Sequence, residues 1–345
     1  MAHWAAVLAG GSGTRFWPLS TPRRPKQFLP LATGRALLEQ AVLRLDGLIP
    51  AERTLVITGA AFAEETRRLL PWLPPENVLA EPRAASTGPA LAWATAVAAQ
   101  RDSDASVLSL HADWFVGDDA AFRRTAGTAL AAAQRHDVLV TVGIVPTRPD
   151  TSYGYIVPGP MLDSEARRVD RFVEKPDERR ARELIERGAL WNSGLFAWTA
   201  NRFASETMQW APEIAPHVAA LRSGDAATFF ARVTPIAVDV SHFERSQRVA
   251  MVPGAFPWDD VGTWTALRRV RSTDARGNVL VGPAWEHEAS NCVIWSDDGP
   301  VVVDGLSEVV VVRANGVTLV TTAERATQLK ALLERLPPEV RHHAD

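Results

Sequence analysis

The chain has 345 residues and a mass of 37.6 kDa, which is long enough for one large domain with an appendage or for two domains. With 46% hydrophobic and 22% charged residues, the composition is that of a globular protein and excludes disorder over the whole chain. The net charge of -3 argues against a nucleic-acid-binding protein, and the single cysteine, Cys292, excludes an internal disulfide and any multi-cysteine metal site.

The first part of the chain, to about residue 145, alternates between predicted strands and predicted helices. Buried apolar runs predict strands at 3–9, 54–58, 78–80, 106–110 and 138–145. Helical spacing of apolar residues predicts helices at 36–48, 60–70, 87–101 and 120–135. This alternation indicates a doubly wound α/β layer with a mostly parallel sheet.

The remaining sequence changes character at about residue 272. Before that point, predicted strands at 155–158, 168–173, 194–198 and 249–253 mix with helices at 176–187, up to about 232 and at 261–271. After it, short valine-rich runs alternate with Gly, Asn and Asp, which predicts a small all-β unit followed by a helix at 323–336. We therefore predict two domains, residues 1–271 and 272–345.

The strongest chemical signal is a glycine-rich loop directly after the first strand. Residues 8–14, with the sequence LAGGSGT, would let backbone N–H groups approach a phosphate closely. The loop lacks the Gly-Lys-Ser/Thr ending of a P-loop and the third glycine of a dinucleotide fingerprint. Arg15 and Lys26 place two cations near it, which suits a nucleoside triphosphate. Lysine supplies only three of the 37 basic residues, which favours a position for Lys26 that needs a compact ammonium, with an ordinary surface lysine as the alternative.

Further motifs follow this loop over residues 5 to about 265. They are Phe16-Trp17-Pro18-Leu19-Ser20, Pro25-Lys26-Gln27-Phe28, Tyr153-Gly154-Tyr155-Ile156, Phe172-Val173-Glu174-Lys175-Pro176, Trp191-Asn192-Ser193-Gly194-Leu195-Phe196 and Phe256-Pro257-Trp258-Asp259-Asp260-Val261-Gly262-Thr263-Trp264. In this order they resemble the motifs of the sugar-1-phosphate nucleotidyltransferases, and most of all those of the mannose-1-phosphate guanylyltransferase branch. The β-rich tail is similar to the short left-handed β-helix of bacterial members.

This resemblance implies a nucleotidyltransferase fold, a Rossmann-like mixed sheet with a small C-terminal β-helix-like domain. It implies that GTP and α-D-mannose 1-phosphate give GDP-mannose and diphosphate. Arg15 would stabilise the departing β- and γ-phosphates, and Lys26 would contact the α-phosphate and the incoming sugar phosphate. The implied nucleotide-binding residues are Leu8, Ala9, Gly10, Gly11, Ser12, Gly13, Thr14, Ser86 and Thr87.

The resemblance also implies a metal site and a sugar site. Asp113 and Asp260 match the family's metal-binding aspartates, and Mg²⁺ is the expected ion. The alternatives are a turn or cap role for Asp113, an N-cap role for Asp260, and Asp259 as a substitute ligand. The implied sugar-binding residues are Gly154, Glu174, Lys175 and Asn192. An exposed charge pair is the alternative interpretation of Glu174 and Lys175.

Two segments depart from the family pattern. Ala85 and Ser86 stand where the family has arginine and asparagine, while His111 and Trp114 replace a proline and a histidine. His111 is either a displaced polar contact or a structural histidine. These changes leave open another sugar phosphate, such as glucose 1-phosphate, or another nucleoside triphosphate. A non-catalytic, sugar-nucleotide-binding regulatory subunit is a further alternative.

The sequence also supports expectations about partners and location. The N-terminal residues lack the basic region of a secretory signal, and no apolar run approaches the roughly 20 residues of a membrane span. We therefore expect a cytoplasmic protein that binds neither membranes nor nucleic acid. The β-rich tail is expected to cover an edge and to provide a self-association surface, so a homodimer is expected.

Overall fold

The chain divides into two compact units, each assembled from separate stretches of sequence. The computed structural model describes residues 2–11, 14–341 and 343. One unit, here called the sheet unit, takes residues up to 10, 41–112 and 118–256, and the other, the β-helix unit, takes 11–40, 113–117 and 257 onwards. The division into domains at residue 271 stays a prediction.

The elements agree closely with the predicted ones over the first 145 residues. In chain order the strands are β1 (His3–Leu8), β2 (Thr54–Gly59), β3 (Val78–Glu81), β4 (Ser106–His111), β5 (Phe115–Val116), β6 (Leu139–Ile144), β7 (Tyr155–Met161), β8 (Arg167–Val173), β9 (Leu190–Thr199), β10 (Val249–Gly254), β11 (Trp258–Asp259), β12 (Val279–Val281), β13 (Ala284–His287), β14 (Val293–Ser296), β15 (Val301–Asp304), β16 (Val309–Ala314) and β17 (Val317–Thr322). The α-helices are α1 (Leu37–Leu43), α2 (Ala63–Leu69), α3 (Thr87–Arg101), α4 (Asp119–His136), α5 (Glu178–Glu186), α6 (Ala200–Trp210), α7 (Val218–Arg222), α8 (Ala226–Arg232), α9 (Leu267–Val270), α10 (Leu329–Leu333) and α11 (Pro338–Arg341).

The sheet unit is built on one mixed sheet with the strand order β3-β2-β1-β4-β9-β6-β10-β8-β7. Strands β3, β2, β1 and β4 run parallel, whereas β9 is antiparallel to both β4 and β6. This arrangement confirms the predicted mixed α/β fold class. Strand β1 lies inside the sheet, with β2 on one side and β4 on the other. In α/β sheets, the carboxyl end of a strand at such a switch point is where ligands bind.

Local sequence explains where the helices of this sheet unit begin and end. The Asp118 carboxylate accepts a hydrogen bond from the Ala121 N–H at 2.9 Å and starts α4, and Asp137 ends it in the left-handed conformation. Asp177 starts α5 in the same way through the Arg180 N–H. The apolar side chains of these strands and helices are buried in the core.

Strand β9 is longer than its prediction because its polar residues are paired inside the sheet. The strand begins at Leu190 rather than at 194. The Ser193 hydroxyl donates to the Val142 carbonyl at 2.7 Å, and the Asn192 N–H donates to the Gly154 carbonyl at 2.8 Å. Asn192 is therefore a strand residue with a fixed backbone.

Three predicted helices are shorter than expected. The helix predicted at 36–48 ends at Leu43, since a turn with Gly47 in the left-handed region follows. The helix at 261–271 is reduced to α9 and a preceding 3₁₀ turn, and Val261 has a φ of 47°, which no helix can include. The helix at 323–336 is likewise reduced to α10 and a 3₁₀ turn.

The β-helix unit stacks short parallel strands into ladders. One sheet has the order β12-β14-β16-β17, with β17 antiparallel, and a second pairs β13 with β15. A row of aromatic side chains joins the N-terminal segment of the unit to these strands. Phe16 lies 5.1 Å from Trp264, which lies 5.8 Å from Trp295, and the Trp264 indole N–H donates to the Trp17 carbonyl at 3.2 Å. This packing fixes the segment that carries Arg15 and Lys26.

Within the described residues, the helices are too short or too polar to cross a membrane.

Candidate active site

Lys26 lies at the centre of a polar cluster in the β-helix unit. It begins a 3₁₀ turn after Pro25, and only 8% of its surface is exposed. Its ammonium donates to Asp113 Oδ2 at 2.9 Å and to the Asp260 backbone carbonyl at 2.5 Å. A buried cation with two oxygen partners is a fixed point charge, which suits contact with a phosphate.

A two-residue ribbon explains how residues so far apart in sequence converge. Strand β5 pairs antiparallel with β11, with Phe115 opposite Asp259. Asp113 comes two residues before β5 and Asp260 comes directly after β11, so both lie at the same end of the ribbon. Trp114, at the position where the family has histidine, packs edge-on against Trp258 with ring centroids 5.8 Å apart. This contact stabilises the ribbon.

Arg15 and the Asp260 carboxylate lie around Gly262. A Cβ atom at position 262 would lie 2.7 Å from Asp260 Oδ2 and 3.4 Å from a terminal nitrogen of Arg15. Glycine is therefore required here to leave room for the carboxylate. Arg15 itself is exposed, so its guanidinium is accessible to a ligand.

The structure bears on two alternative interpretations of the aspartates. Thr263, not Asp260, occupies the N-cap position of the turn that starts at Trp264. The Asp259 carboxylate is engaged by Arg269 at 2.6 and 3.0 Å and accepts the Val261 N–H at 2.8 Å. Asp259 thus holds the turn in shape, and its exchange for Asp260 as a metal ligand stays an alternative.

The two remaining carboxylates fit a hard divalent cation. Asp113 and Asp260 carry carboxylate oxygens, and the Asp113 side chain is 34% exposed. In the described part of the chain, no group of three or more His, Cys, Asp or Glu side chains could hold a metal. Magnesium in nucleotide sites needs only one or two carboxylates, since phosphate oxygens and water complete its shell. Their role as metal ligands stays a prediction.

The predicted phosphate loop begins at the edge of the sheet unit. Leu8 ends β1 with its carbonyl bonded to the Ala112 N–H at 2.9 Å, and the Ala9 N–H donates to the Ile57 carbonyl at 2.8 Å. Gly10 is exposed, and a Cβ there would meet nothing within 4 Å. A ligand could therefore approach the backbone closely at Gly10.

The rest of that loop belongs to the β-helix unit. Gly11 is exposed with a φ of 110°, a conformation that favours glycine, and Thr14 begins a 3₁₀ turn. Ser12 and Gly13 lie outside the described residues. Phosphate binding by these loop residues stays a prediction.

The segment that departs from the family pattern is held by its own contacts. Ala85 is fully buried, and Arg83 donates instead to the Phe230 and Val233 carbonyls, each at 2.5 Å. Ser86 is exposed at the N-terminus of α3, whereas the Thr87 hydroxyl accepts the Val238 N–H at 2.9 Å. Of the two predicted nucleotide-binding residues, Ser86 is thus the more accessible.

Glu81 is a candidate functional residue that the sequence reasoning missed. It ends β3 beside Gly59 of β2, at the carboxyl edge of the parallel strands. Burial raises the pKa of Glu81 to about 7. Its Oε1 atom is buried and has no hydrogen-bond partner among the described residues. Such a carboxylate is a strong acceptor for a ligand. The sequence signal was its place at the start of the segment that contains Ala85 and Ser86.

Three of the four predicted sugar-binding residues converge in the sheet unit. A Cβ at Gly154 would lie 2.7 Å from Glu174 Oε2 and 3.6 Å from Asn192 Cβ. Lys175 pairs with Glu174, and their side chains are 64% and 47% exposed. Glu174 and Lys175 therefore do form the exposed charge pair of the alternative interpretation, and Glu174 lies beside Gly154. Sugar binding by these residues stays a prediction.

Aromatic side chains fix the loop before Gly154. The Arg148 guanidinium lies 4.9 Å from the Trp191 ring centroid and donates to the Tyr153 hydroxyl at 3.1 Å. The Tyr155 hydroxyl donates to the Asp150 carbonyl at 3.0 Å. Both tyrosines are buried, so they shape the loop.

Asp239 is a second residue that sequence reasoning missed. It begins a π-helical turn (Asp239–Phe243), and its Oδ1 accepts a hydrogen bond from Asn192 Nδ2 at 2.8 Å. Burial raises the pKa of Asp239, and the nearby charge of His111 opposes that rise. His111 is therefore a polar neighbour of this cluster. No local sequence pattern singles Asp239 out.

Comparison with known proteins extends over nearly the whole chain. A family model described as "Nucleotidyl transferase" matches residues 4–277, and one described as "MannoseP isomerase/GMP-like beta-helix domain" matches 286–336. The Klebsiella pneumoniae protein named mannose-1-phosphate guanylyltransferase is 34% identical over 96% of this chain and 73% of its own length. An Escherichia coli protein of that name has the same identity and coverage. A crystal structure from Thermus thermophilus, described as a mannose-1-phosphate geranyltransferase, is 37% identical, covers 97% of this chain and 99% of that chain, and has a TM-score of 0.91.

Proposed function

Because the chain belongs to the nucleotidyl transferase family, we propose that it transfers a guanylyl group from GTP to mannose 1-phosphate, giving GDP-mannose and diphosphate. The observation that carries this proposal is the buried Lys26 ammonium, held between the Asp113 carboxylate and the Asp260 carbonyl. The proposed substrates are those of the enzymes that share the motifs and align over 96% of the chain.

The reaction needs charge stabilisation more than proton transfer. A phosphate oxygen of mannose 1-phosphate forms a bond to the α-phosphorus of GTP, and the bond from that phosphorus to the oxygen bridging to the β-phosphate breaks. The bonding pair leaves with diphosphate. Since the nucleophile is already an anion, no general base is required. Lys26 would stabilise charge on the α-phosphate, and the exposed Arg15 would bind the departing diphosphate.

Magnesium is the proposed cofactor of this step. Asp113 and Asp260 would hold it, since their hard carboxylate oxygens suit the ion. The bound ion would supply positive charge to phosphate oxygens of the nucleotide. The hydrogen bond from Lys26 to Oδ2 orients the Asp113 carboxylate for this role.

The base and the sugar would be recognised by residues of the sheet unit. Guanine presents two adjacent donors, N1–H and N2–H, and the Glu81 carboxylate has two acceptor oxygens, of which Oε1 is buried without a partner among the described residues. Glu174 and Asn192 offer an acceptor and a donor beside Gly154, which suits a sugar hydroxyl. Lys175 would bind either the sugar's phosphate or a hydroxyl.

A grid of substrates tests the proposal directly. Purified protein is assayed with Mg²⁺ and each of GTP, ATP, UTP, CTP and dTTP, paired in turn with mannose 1-phosphate and glucose 1-phosphate. Diphosphate release is the readout. We expect GTP with mannose 1-phosphate to lead by at least about tenfold in kcat/KM, or roughly 1.4 kcal/mol.

Other outcomes of the grid separate the alternatives. A different leading pair would retain the chemistry and replace the named substrates. No turnover with any pair, together with binding of a sugar nucleotide, would support a regulatory subunit instead. The leading activity should disappear with EDTA and return with excess Mg²⁺, and an unchanged rate in EDTA would contradict the metal assignment.

We also propose that the protein forms a homodimer through its β-helix unit. Trp285 of β13 lies opposite Val302 of β15, and they are 55% and 69% exposed. Adjacent exposed apolar side chains favour association. Sedimentation at micromolar concentration should give twice the 37.6 kDa mass of one chain, and Trp285→Glu should shift the distribution to the single chain. A wild-type protein of 37.6 kDa alone would contradict the proposal.

A further inference from the structure

The side-chain amide of Asn192 has a defined orientation. Its Oδ1 accepts the Thr141 hydroxyl at 3.0 Å and the Gly194 N–H at 3.3 Å. Because a backbone N–H can only donate, the atom facing Gly194 is the amide oxygen. Nδ2 therefore faces Asp239, to which it donates one hydrogen at 2.8 Å. Its second hydrogen remains, and Nδ2 lies 3.9 Å from the point where a Cβ on Gly154 would be.

The turn that carries Asp239 is itself fixed. The Thr87 hydroxyl accepts the N–H of Val238, directly before the turn, at 2.9 Å. His242 in the same turn is hydrogen-bonded to Thr207 and to Ser241, each at 2.8 Å, and stacks on the Phe203 ring. Burial lowers the pKa of His242 to about 3, so this histidine stays neutral at ordinary pH. The Asp239 carboxylate is thus an acceptor on a rigid support.

The same carboxylate lies among other charged groups. Burial is the main cause that raises the pKa of Asp239, to which Glu174 adds and which His111 opposes. Burial also raises the pKa of Glu244, with smaller contributions from Glu174 and Asp239. Burying a carboxylate in an acidic environment costs free energy, which its hydrogen bonds offset only in part. Its hydrogen bond to Asn192 is the contact that links this carboxylate to the residues around Gly154.

We propose that Asp239 is a positioning residue for sugar binding, which holds the Asn192 amide so that its second N–H and the Glu174 carboxylate together recognise one hydroxyl group of a hexose 1-phosphate. The hydroxyl donates its hydrogen to Glu174 Oε2 and accepts the N–H of Asn192. This assignment rests on the proposed function, because the ligand is its sugar phosphate. A deoxy sugar at that position would leave Glu174 Oε2 and the second N–H of Asn192 without their sugar partner and would bind more weakly.

A double-mutant cycle tests whether Asp239 acts through Asn192. Calorimetry measures the Kd of mannose 1-phosphate for the wild type and for the Asp239→Leu, Asn192→Ala and doubly substituted proteins. Asp239→Leu keeps the side-chain shape without an acceptor, and we expect the Kd to rise about tenfold. In the Asn192→Ala background the same change should have little further effect. Additive effects would overturn the proposal.

Two further variants separate positioning from a general role in charge or stability. Asp239→Asn keeps an acceptor oxygen and should stay within about threefold of the wild-type Kd. Glu244→Gln removes a nearby negative charge, and the Glu244 carboxylate makes no hydrogen bond to other described residues, so its Kd should not change. Equal losses in Asp239→Asn and Asp239→Leu would overturn the proposal.

Kinetics distinguish this proposal from the proposed function. In an active enzyme, Asp239→Leu should raise KM for mannose 1-phosphate with little change in kcat or in KM for GTP. A wild type that binds mannose 1-phosphate without turnover would contradict the proposed reaction, while the Kd cycle would still decide the role of Asp239. A wild type that binds neither mannose 1-phosphate nor glucose 1-phosphate would overturn both.

Discussion

Replacing Lys26 with alanine is expected to lower kcat by about 10²- to 10³-fold, or roughly 3–4 kcal/mol of transition-state stabilisation. The reason is the position of its ammonium, which is nearly buried and bonded to Asp113 at 2.9 Å and to the Asp260 carbonyl at 2.5 Å. The substitution therefore removes the positive charge that is proposed to stabilise the α-phosphate. It also removes a hydrogen bond that orients the Asp113 carboxylate. Steady-state kinetics with the leading substrate pair measure the loss.

Arginine should not restore the activity. The Lys26 side chain is only 10% exposed, and a planar guanidinium is larger than the ammonium it would replace. Lys330→Ala is the matched control, because Lys330 is an exposed lysine of α10 in the same unit. We expect the control to keep wild-type kcat. Turnover of Lys26→Ala within about threefold of the wild type would refute the catalytic role.

The melting temperature separates this effect from unfolding. Asp113 loses its ion pair in Lys26→Ala, but its side chain is 34% exposed and water can solvate it. The expected loss of stability is therefore small, about 1 kcal/mol. A collapse of the melting temperature that parallels the loss of kcat would point to a structural role.

The sequence predicted the first four strands, α3 and α4 within a residue or two because these elements have strong local signals. β1 is an apolar run, and α4 has an aspartate cap and regularly spaced buried residues. The position of β9 between β4 and β6 could not be predicted in this way. Hydrophobic periodicity gives the type of an element, whereas strand pairing depends on contacts between distant segments.

In the candidate site, too, local motifs could be recognised from the sequence, whereas contacts between distant segments could not. Lys26, Asp113 and Asp260 were recognisable by their motifs, but their convergence depends on the β5–β11 ribbon, whose strands of two residues have no detectable period. Glu81 and Asp239 were missed because their importance comes from burial and from a hydrogen-bond environment. Neither property is visible in the residue type alone.

Replacing Glu81 with glutamine is expected to weaken the preference for GTP. A carboxylate offers two acceptors to the adjacent N1–H and N2–H donors of guanine, whereas a glutamine amide sets its own NH₂ against one of them. The expected loss is about 1.4–2.8 kcal/mol, or roughly 10- to 100-fold in kcat/KM for GTP. Uracil and adenine each present a donor beside an acceptor, so the relative use of UTP and ATP should rise. Glu76→Gln, an exposed glutamate before β3, is the control.

The same substitution should stabilise the fold above pH 7. The pKa of Glu81 is raised from 4.5 to about 7, so the folded protein holds a proton that the unfolded chain releases between these values. The stability that Glu81 contributes is complete below pH 4.5 and is lost as the pH rises through 7. At pH 8 the ionised side chain then costs about 1–2 kcal/mol, after allowance for its partial exposure.

Glutamine cannot ionise, and so Glu81→Gln should exceed the wild type in free energy of unfolding at pH 8 and approach it at pH 5. Urea denaturation at the two pH values measures the difference, alongside nucleotide kinetics. A gain in stability with a loss of GTP preference is the combination expected of a residue retained for binding at the expense of the fold. If GTP preference is unchanged and only stability rises, Glu81 does not recognise the base. If neither the GTP preference nor the free energy of unfolding changes, the Glu81 carboxylate is solvated and affects neither base recognition nor stability.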